Sequence, residues 1–271
     1  MADGEAHRWR IKPGHALDLA TIDTRSTAGA PGSDAETKEA APALADRLRD
    51  LQERLWAERR QSLLVVFQAI DAGGKDGAAK HVFRGLDPAG ARVVAFGAPN
   101  EEELAHDFLW RIHRHTPARG EVVVFNRSHY EDVLVVRVHD LVPESVWRPR
   151  YETIDHFEAG LAEAGTRVVK VFLHISRAEQ AKRLQARLDD PTKRWKFRRG
   201  DLEERALWDD YQAAFAEAIS QTSTTVAPWY VVPADRKWYR NWAVSRILVE
   251  TLETMDPRYP PAEDLAGVVI T

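Results

Sequence analysis

The sequence predicts an α/β domain built on a parallel sheet with helices on both faces. Three observations point there. Five short apolar runs, at residues 62–68, 92–95, 121–125, 167–175 and 230–232, are rich in valine and continuous rather than alternating, as strands buried on both faces are. Helical patterning fills the intervals, at 77–85, 101–115, 148–164, 179–188, 202–220 and 240–254, and strands alternating with helices build parallel sheets. The first apolar run turns through a glycine-rich corner, AIDAGGKDG, straight into a helix.

Taken in order, residues 1–43 read as an N-terminal extension, partly irregular, ahead of a domain covering 44–271. Within the extension, 27–40 (TAGAPGSDAETKEA) has the small, polar composition of a loop. Leu44, Leu48, Leu51 and Leu55 then recur at helical spacing and give one apolar face. The second half holds one unusual passage, KRLQARLDDPTKRWKFRRG at 182–200. Arg183 and Arg187 share a helix face away from Leu184 and Leu188. Asp190-Pro191 interrupts that helix, and Lys193, Arg194, Lys196, Arg198 and Arg199 follow with Trp195 and Phe197 between them. Asp201 and Glu204 have the spacing of a capping box that restarts a helix. In a chain of net charge −4, so many cations form either a solvated charged face or an anion-binding lid, about 178–205. The nine tryptophans, Trp195, Trp208, Trp229, Trp238 and Trp242 among them, read as packing residues.

Bulk composition excludes several classes. With 271 residues, 44% of them hydrophobic, the chain can bury a substantial core. It has no cysteine, which removes disulfides and thiolate metal sites. No apolar run approaches membrane-spanning length and no signal-peptide core is present, so a soluble, cytoplasmic protein with no membrane partner is expected. The slightly negative charge argues against a general nucleic-acid binder. No Ser-His-Asp arrangement or HExxH pattern occurs, and His129, His139 and His174 read as structural histidines beside apolar runs.

The strand–loop–helix at 62–83 is the construction of a phosphate cradle, in which loop N–H groups, a helix N-terminus and a lysine face one anion. Gly74, Lys75 and Gly77 supply it, and Lys80 and Arg84 continue the cationic track along the helix. The match to G-x4-G-K-[ST] is imperfect: Ala69 stands at the first glycine, Asp76 replaces the hydroxyl that reaches Mg2+, and Asp71 adds a carboxylate inside the loop. A second component ends the run at 121–125. The position where nucleotide-binding α/β proteins carry a metal-binding carboxylate is Asn126, and Asp71 with Glu131 or Asp132 can restore the missing charge. Arg127 is placed to neutralise a transferring phosphoryl group, although N-R-S also reads as an ordinary polar strand end.

The chain resembles the polyphosphate kinase 2 family along nearly its whole length, from WRIKPG at 9–14 onward. The motifs are QAIDAGGKDG (68–77), DFLWR (107–111), FNRSHYEDVLVVRVH (125–139), DDPTKRWKF (189–197), WDDY (208–211) and APWYVVPADRKW (227–238). The resemblance implies the P-loop kinase fold, five parallel strands in the order 2-3-1-4-5. It implies that Asp71 and Lys75 belong to the catalytic phosphate loop and Arg127 to the second motif. By the same resemblance Arg183, Arg187, Lys193 and Lys196 belong to a lid over a polyphosphate channel, and Arg111, Asn126 and Glu131 lie on the nucleotide side. The implied activity is direct transfer of the terminal phosphoryl group of inorganic polyphosphate to a nucleotide, with Mg2+ (Mn2+ as an alternative) and without a phosphohistidine. The implied assembly is a homo-oligomer, a dimer or tetramer. Asn126 and Glu131 depart from the Asp and Asn of many members and resemble the branch that accepts both AMP and ADP, which makes Glu131 a candidate for metal binding and acceptor selection. Two competing readings are a nucleoside-triphosphate-dependent kinase of thymidylate-kinase type and a non-catalytic polyphosphate-binding protein.

Overall fold

A computed structural model describes residues 5–264 and residue 270. Five strands form one parallel sheet: β1 (Ser62–Gln68), β2 (Ala91–Ala95), β3 (Val122–Asn126), β4 (Thr166–His174) and β5 (Trp229–Pro233), in the spatial order β2-β3-β1-β4-β5. The chain therefore adopts the P-loop kinase arrangement that its motifs imply. Every residue of β1 is buried, as a central strand covered on both faces must be. Val65 sits between Val124 of β3 and Val169 of β4, so valine and leucine fill the centre of the sheet from three strands.

Eleven α-helices connect and cover the strands in the described residues: α1 (Asp34–Glu58), α2 (Lys75–Phe83), α3 (Glu101–Leu104), α4 (Trp110–His113), α5 (Glu131–Val138), α6 (Glu144–Trp147), α7 (Arg150–Glu163), α8 (Arg177–Asp189), α9 (Gly200–Ala206), α10 (Trp208–Thr222) and α11 (Lys237–Met255). Helix α1 packs along α11, and α11 packs on α2, β4 and β5. Helices α5, α7 and α10 pack on one another, with α7 against β4. No helix of the described residues is long and apolar enough to cross a membrane.

Several expected boundaries move, each for a local reason. The loop expected over 27–40 is helical from Asp34, because Ser33 and Glu36 form a capping box: Ser33 Oγ accepts from the Glu36 N–H, and the Glu36 carboxylate accepts from the Ser33 N–H at 2.7 Å. The helix expected over 101–115 is two short pieces, α3 and α4. Between them Asp107 makes its own turn, its carboxylate accepting from the Leu109 N–H and its carbonyl from Trp110. The helix expected over 148–164 starts at Arg150, directly after Pro149, whose ring suits a helix start and not an interior. The helix expected over 202–220 divides at Leu207 into α9 and α10. Asp201 does not cap it; α9 begins at Gly200, and the Asp201 carboxylate accepts from the Arg198 N–H and pairs with Arg187. Helix α5, inside the FNRSHYEDVLVVRVH segment at 125–139, is an element that the valine-rich sequence did not announce as a helix.

The N-terminal stretch is ordered against the far side of the sheet. Arg10 bridges antiparallel to Tyr230, and the Ile11 N–H donates to the Trp229 carbonyl, covering the outer edge of β5. Thr24 hydrogen-bonds to Asp235, Ala28 accepts from the Tyr239 hydroxyl, and Trp9 donates to the same hydroxyl.

Candidate active site

The loops leaving the C-terminal ends of β1, β3, β4 and β5 gather at one edge of the sheet, where open α/β sheets bind ligands. The β1–α2 loop makes its turn with Ala72 at φ 61° and Gly74 at φ 103°. A Cβ on Gly74 would stand 2.4 Å from Arg240 Nη1, so this glycine is needed both for its backbone and for the approach of that guanidinium. Lys75 opens α2 and folds back over the loop, its Nζ donating to the Ala69 carbonyl at 2.5 Å. Burial pulls its pKa below the usual lysine value and Arg127 acts in the same direction, while Asp71, Glu131 and Asp76 oppose them.

Arg127 follows β3 with φ 62°, a left-handed conformation that a branched or long side chain adopts at a cost. Its backbone N–H donates to Phe67 and its guanidinium to Asp71 at 2.9 Å, so the strand-end motif and the phosphate loop are tied together. Burial works against the Arg127 charge, but Glu131, Asp71 and Tyr211 outweigh it and leave the pKa above the usual arginine value. Asn126 donates to Asp76 at 2.5 Å. Glu131, the first residue of α5, acts electrostatically on both Lys75 and Arg127. Lys75, Asp71, Arg127, Asn126 and Glu131 thus converge. Lys80 and Arg84 stand exposed along α2 and its end.

Two expected residues face other partners. Arg183 is buried, and its guanidinium donates to the carbonyls of Ala72 (3.1 Å), Gly73 (2.9 Å) and Ala234 (2.6 Å), holding the phosphate loop against the end of β5. Arg111 is also buried; it donates to the Gly97 carbonyl, lies over the Phe96 ring, and has Glu103 and Asp132 within 4 Å, so it braces the loop after β2. The lid passage is α8, a 3-10 turn at Arg194–Lys196, and α9. Within it Arg187 pairs with Asp201, and Lys193 with Asp190 at 2.5 Å. Trp195 is not a packing residue: it is 76% exposed, with Lys196 Nζ 5.0 Å from its ring centroid.

Sequence reasoning missed Arg240 and Lys237. Arg240 donates to the Gly74 carbonyl, and burial together with Arg183 pushes its pKa down to about 10. The pKa of Lys237 is likewise lowered, by burial first and then by Arg183 and Arg240, with Lys193 of the lid contributing. Four cations from the lid, α8 and α11 therefore crowd one flank of the phosphate loop, an arrangement that favours a polyanion.

The sequence matches the family model of polyphosphate kinase 2 over residues 32–260. The chain belongs to the polyphosphate kinase 2 family. It is 54% identical over 263 residues to an AMP/ADP-polyphosphate phosphotransferase of Meiothermus ruber, covering 97% of this chain and 98% of that one. It is 48% identical over 227 residues to an ADP-polyphosphate phosphotransferase of Rhodopseudomonas palustris, covering 79% and 78%. A crystal structure of polyphosphate kinase 2 from Arthrobacter aurescens superposes with a TM-score of 0.93 at 47% identity, covering 97% of this chain and 93% of that one. As a member of polyphosphate kinase 2, the chain is a kinase.

The donor set suits a hard divalent cation. Among the described residues no three His, Cys, Asp or Glu side chains are grouped to hold a metal by themselves. Magnesium in phosphoryl-transfer sites is held by one or two carboxylates and by substrate phosphates. Asp71, inside the loop, Asp76, at the start of α2, and Glu131 all act on the Lys75 ammonium, so carboxylates of this kind are present beside the loop.

Proposed function

We propose that this kinase transfers the terminal phosphoryl group of inorganic polyphosphate to AMP and to ADP in one direct, Mg2+-dependent step. The observation that carries the reading is the Asp71–Arg127 pair beside Lys75, in a chain so similar end to end to the M. ruber enzyme. Phosphoryl transfer asks a protein mainly for in-line positioning and for cations where negative charge gathers. Lys75 and the loop N–H groups hold the donor phosphates, and Arg127 neutralises the equatorial oxygens of the group in flight. Asp71 keeps Arg127 oriented and, with Glu131, supplies carboxylate oxygens for Mg2+. Bound Mg2+ would offset the negative charge of the phosphates at the reaction centre. Arg183 and Arg240 fix the shape of the loop through its carbonyls, and Lys237, Lys193, Arg187 and Lys196 extend the positive flank along which a phosphate chain runs. The test uses purified enzyme with Mg2+ and AMP and either polyphosphate or ATP as donor. ADP, followed by ATP, should form with polyphosphate and vanish with excess EDTA. Product from ATP alone would favour the nucleoside-triphosphate-dependent kinase, and no product from either donor would favour a binding protein.

The lid carries its own expectation. Replacing Arg187 and Lys196 together with alanine should raise the polyphosphate KM about tenfold, equivalent to about 1.4 kcal/mol, and change the AMP KM little. Raising ionic strength should mimic the effect on the parent enzyme by screening exposed charges. Equal rises in both KM values would return the passage to a solvated charged face.

Acceptor choice is assigned to Glu131. A monophosphate leaves space at the reaction centre that a diphosphate fills with its β-phosphate and that phosphate's metal contacts. Glu131 occupies this space and compensates for the charge Asn126 lacks. Glu131→Asn should lower the AMP-to-ADP ratio of kcat/KM by about tenfold, since ADP brings metal ligands of its own. An unchanged ratio would remove Glu131 from acceptor selection.

A further inference from the structure

Behind the strand-end motif lies a charged cluster that the reaction does not touch. Lys170 sits in β4 between Val66 of β1 and Trp229 of β5 and is fully buried. Its ammonium donates to the Glu158 carboxylate of α7, to the Tyr130 hydroxyl at 2.9 Å and to the Thr222 carbonyl of α10 at 2.6 Å, which uses all three N–H donors. The rings of Tyr130 and Trp229 each lie 5.4 Å from it. Glu158 also accepts from the Tyr130 hydroxyl at 3.0 Å and lies 3.2 Å from His129 Nε2. A carboxylate only accepts, so the proton of neutral His129 is on Nε2. Burial holds His129 below its usual pKa, consistent with a neutral ring.

Buried ion pairs seldom add net stability compared with apolar residues of the same shape, and their better-attested use is to fix one arrangement. What this one fixes is the turn bearing Arg127. Ser128, His129 and Tyr130 are each fully buried immediately after it. Ser128 Oγ accepts from the Tyr130 N–H at 3.2 Å and from Gln68 at 3.3 Å, linking the turn to the end of β1. Arg127 itself is 40% exposed and holds a positive φ that its own side chain does not favour. Three consecutive anchored residues on one side and the Phe67 carbonyl on the other hold that backbone in place. We propose that the Lys170–Glu158 pair, acting through His129 and Tyr130, is a positioning device that sets the Arg127 guanidinium at the reaction centre. This rests on the reading of Arg127 as the cation that meets the transferring group.

A double-mutant cycle tests it. Tyr130→Phe deletes one oxygen from the network, and Lys170→Met with Glu158→Gln removes its charges together. In the parent background each change should lower kcat about ten- to a hundredfold, the scale of a small misplacement of a catalytic group, and leave both KM values within about twofold. In an Arg127→Ala background the same changes should lower kcat less than about twofold, because the group they position is gone. An unchanged kcat in the parent background, or an equal fall in both, would overturn the proposal. If the charge-removed variant does not fold, Tyr130→Phe carries the cycle alone. Should Arg127→Ala by itself retain parent turnover, the assignment of Arg127 fails, and that result is read separately from the cycle.

Discussion

Replacing Lys75 with alanine is expected to lower kcat by about a hundred- to thousandfold while the protein stays folded. Removing one preorganised charge from a site of this kind costs about 2.7–4 kcal/mol of transition-state stabilisation. Here the lysine is buried, and its charge is the one that Asp71, Glu131 and Asp76 jointly face. Without it the loop has no cation of its own to face an incoming polyanion, and Arg127 is already paired with Asp71. Arginine is not an adequate replacement, because Lys75 is enclosed and reaches the Ala69 carbonyl as a compact point charge. Lys75→Arg should therefore stay within about tenfold of the alanine variant. The measurement is steady-state ADP formation from AMP and polyphosphate, with melting temperature followed in parallel. Near-parent turnover in folded Lys75→Ala would sink the cradle assignment.

The second large effect is expected at Arg127. Arginines that meet the transferring phosphoryl group in related chemistry contribute about 10³–10⁵ in kcat, and Arg127→Gly should lose at least the smaller figure. Glycine is the informative choice because Arg127 holds φ 62°. Relief of that left-handed conformation, about 1–2 kcal/mol for a non-glycine residue, offsets the loss of a half-exposed ion pair with Asp71, about 0–1 kcal/mol. The melting temperature should thus hold or rise while turnover collapses. A fall in both together would mark Arg127 as a structural residue whose pair with Asp71 supports the fold.

The parts that were legible in the sequence are those governed by local pattern. Valine-rich continuous runs located all five strands to within about two residues at each end, and the glycine corner located the phosphate loop. Order within the sheet came from family resemblance, since periodicity says nothing about which strands are neighbours. Helix boundaries failed where one residue outweighed a window: Ser33 with Glu36 began α1 inside a stretch of loop-like composition, Asp107 cut a helix that averaged patterning ran together, and Pro149 moved the start of another to Arg150. Arg183 illustrates a different limit. Its helix face was readable, but its partners are loop carbonyls about 110 residues away in the chain. Arg240 meets Gly74 across 166 residues, and a lone arginine in a helix gives no local sign of such a contact. Arg127, Asn126 and Glu131 were visible as candidates because they follow the 121–125 strand within a few residues and fall in a motif of the family.

The N-terminal stretch, a strap laid along the outer edge of β5 by Arg10 and Ile11, has a consequence for how the molecule is made. Trp9 meets Tyr239 across 230 positions, and Ala6 meets Glu250 across 244. During vectorial synthesis these residues emerge long before their partners, so the strap has nowhere to dock until β5 and α11 have been translated. Contacts of such sequence separation carry a large loop-closure entropy and form late. Until then the outer edge of β5 is a row of unpaired amides open to pairing with another chain. Between completion of α11 and seating of the strap that edge of β5 is therefore open to pairing with another chain, and docking of the strap closes it.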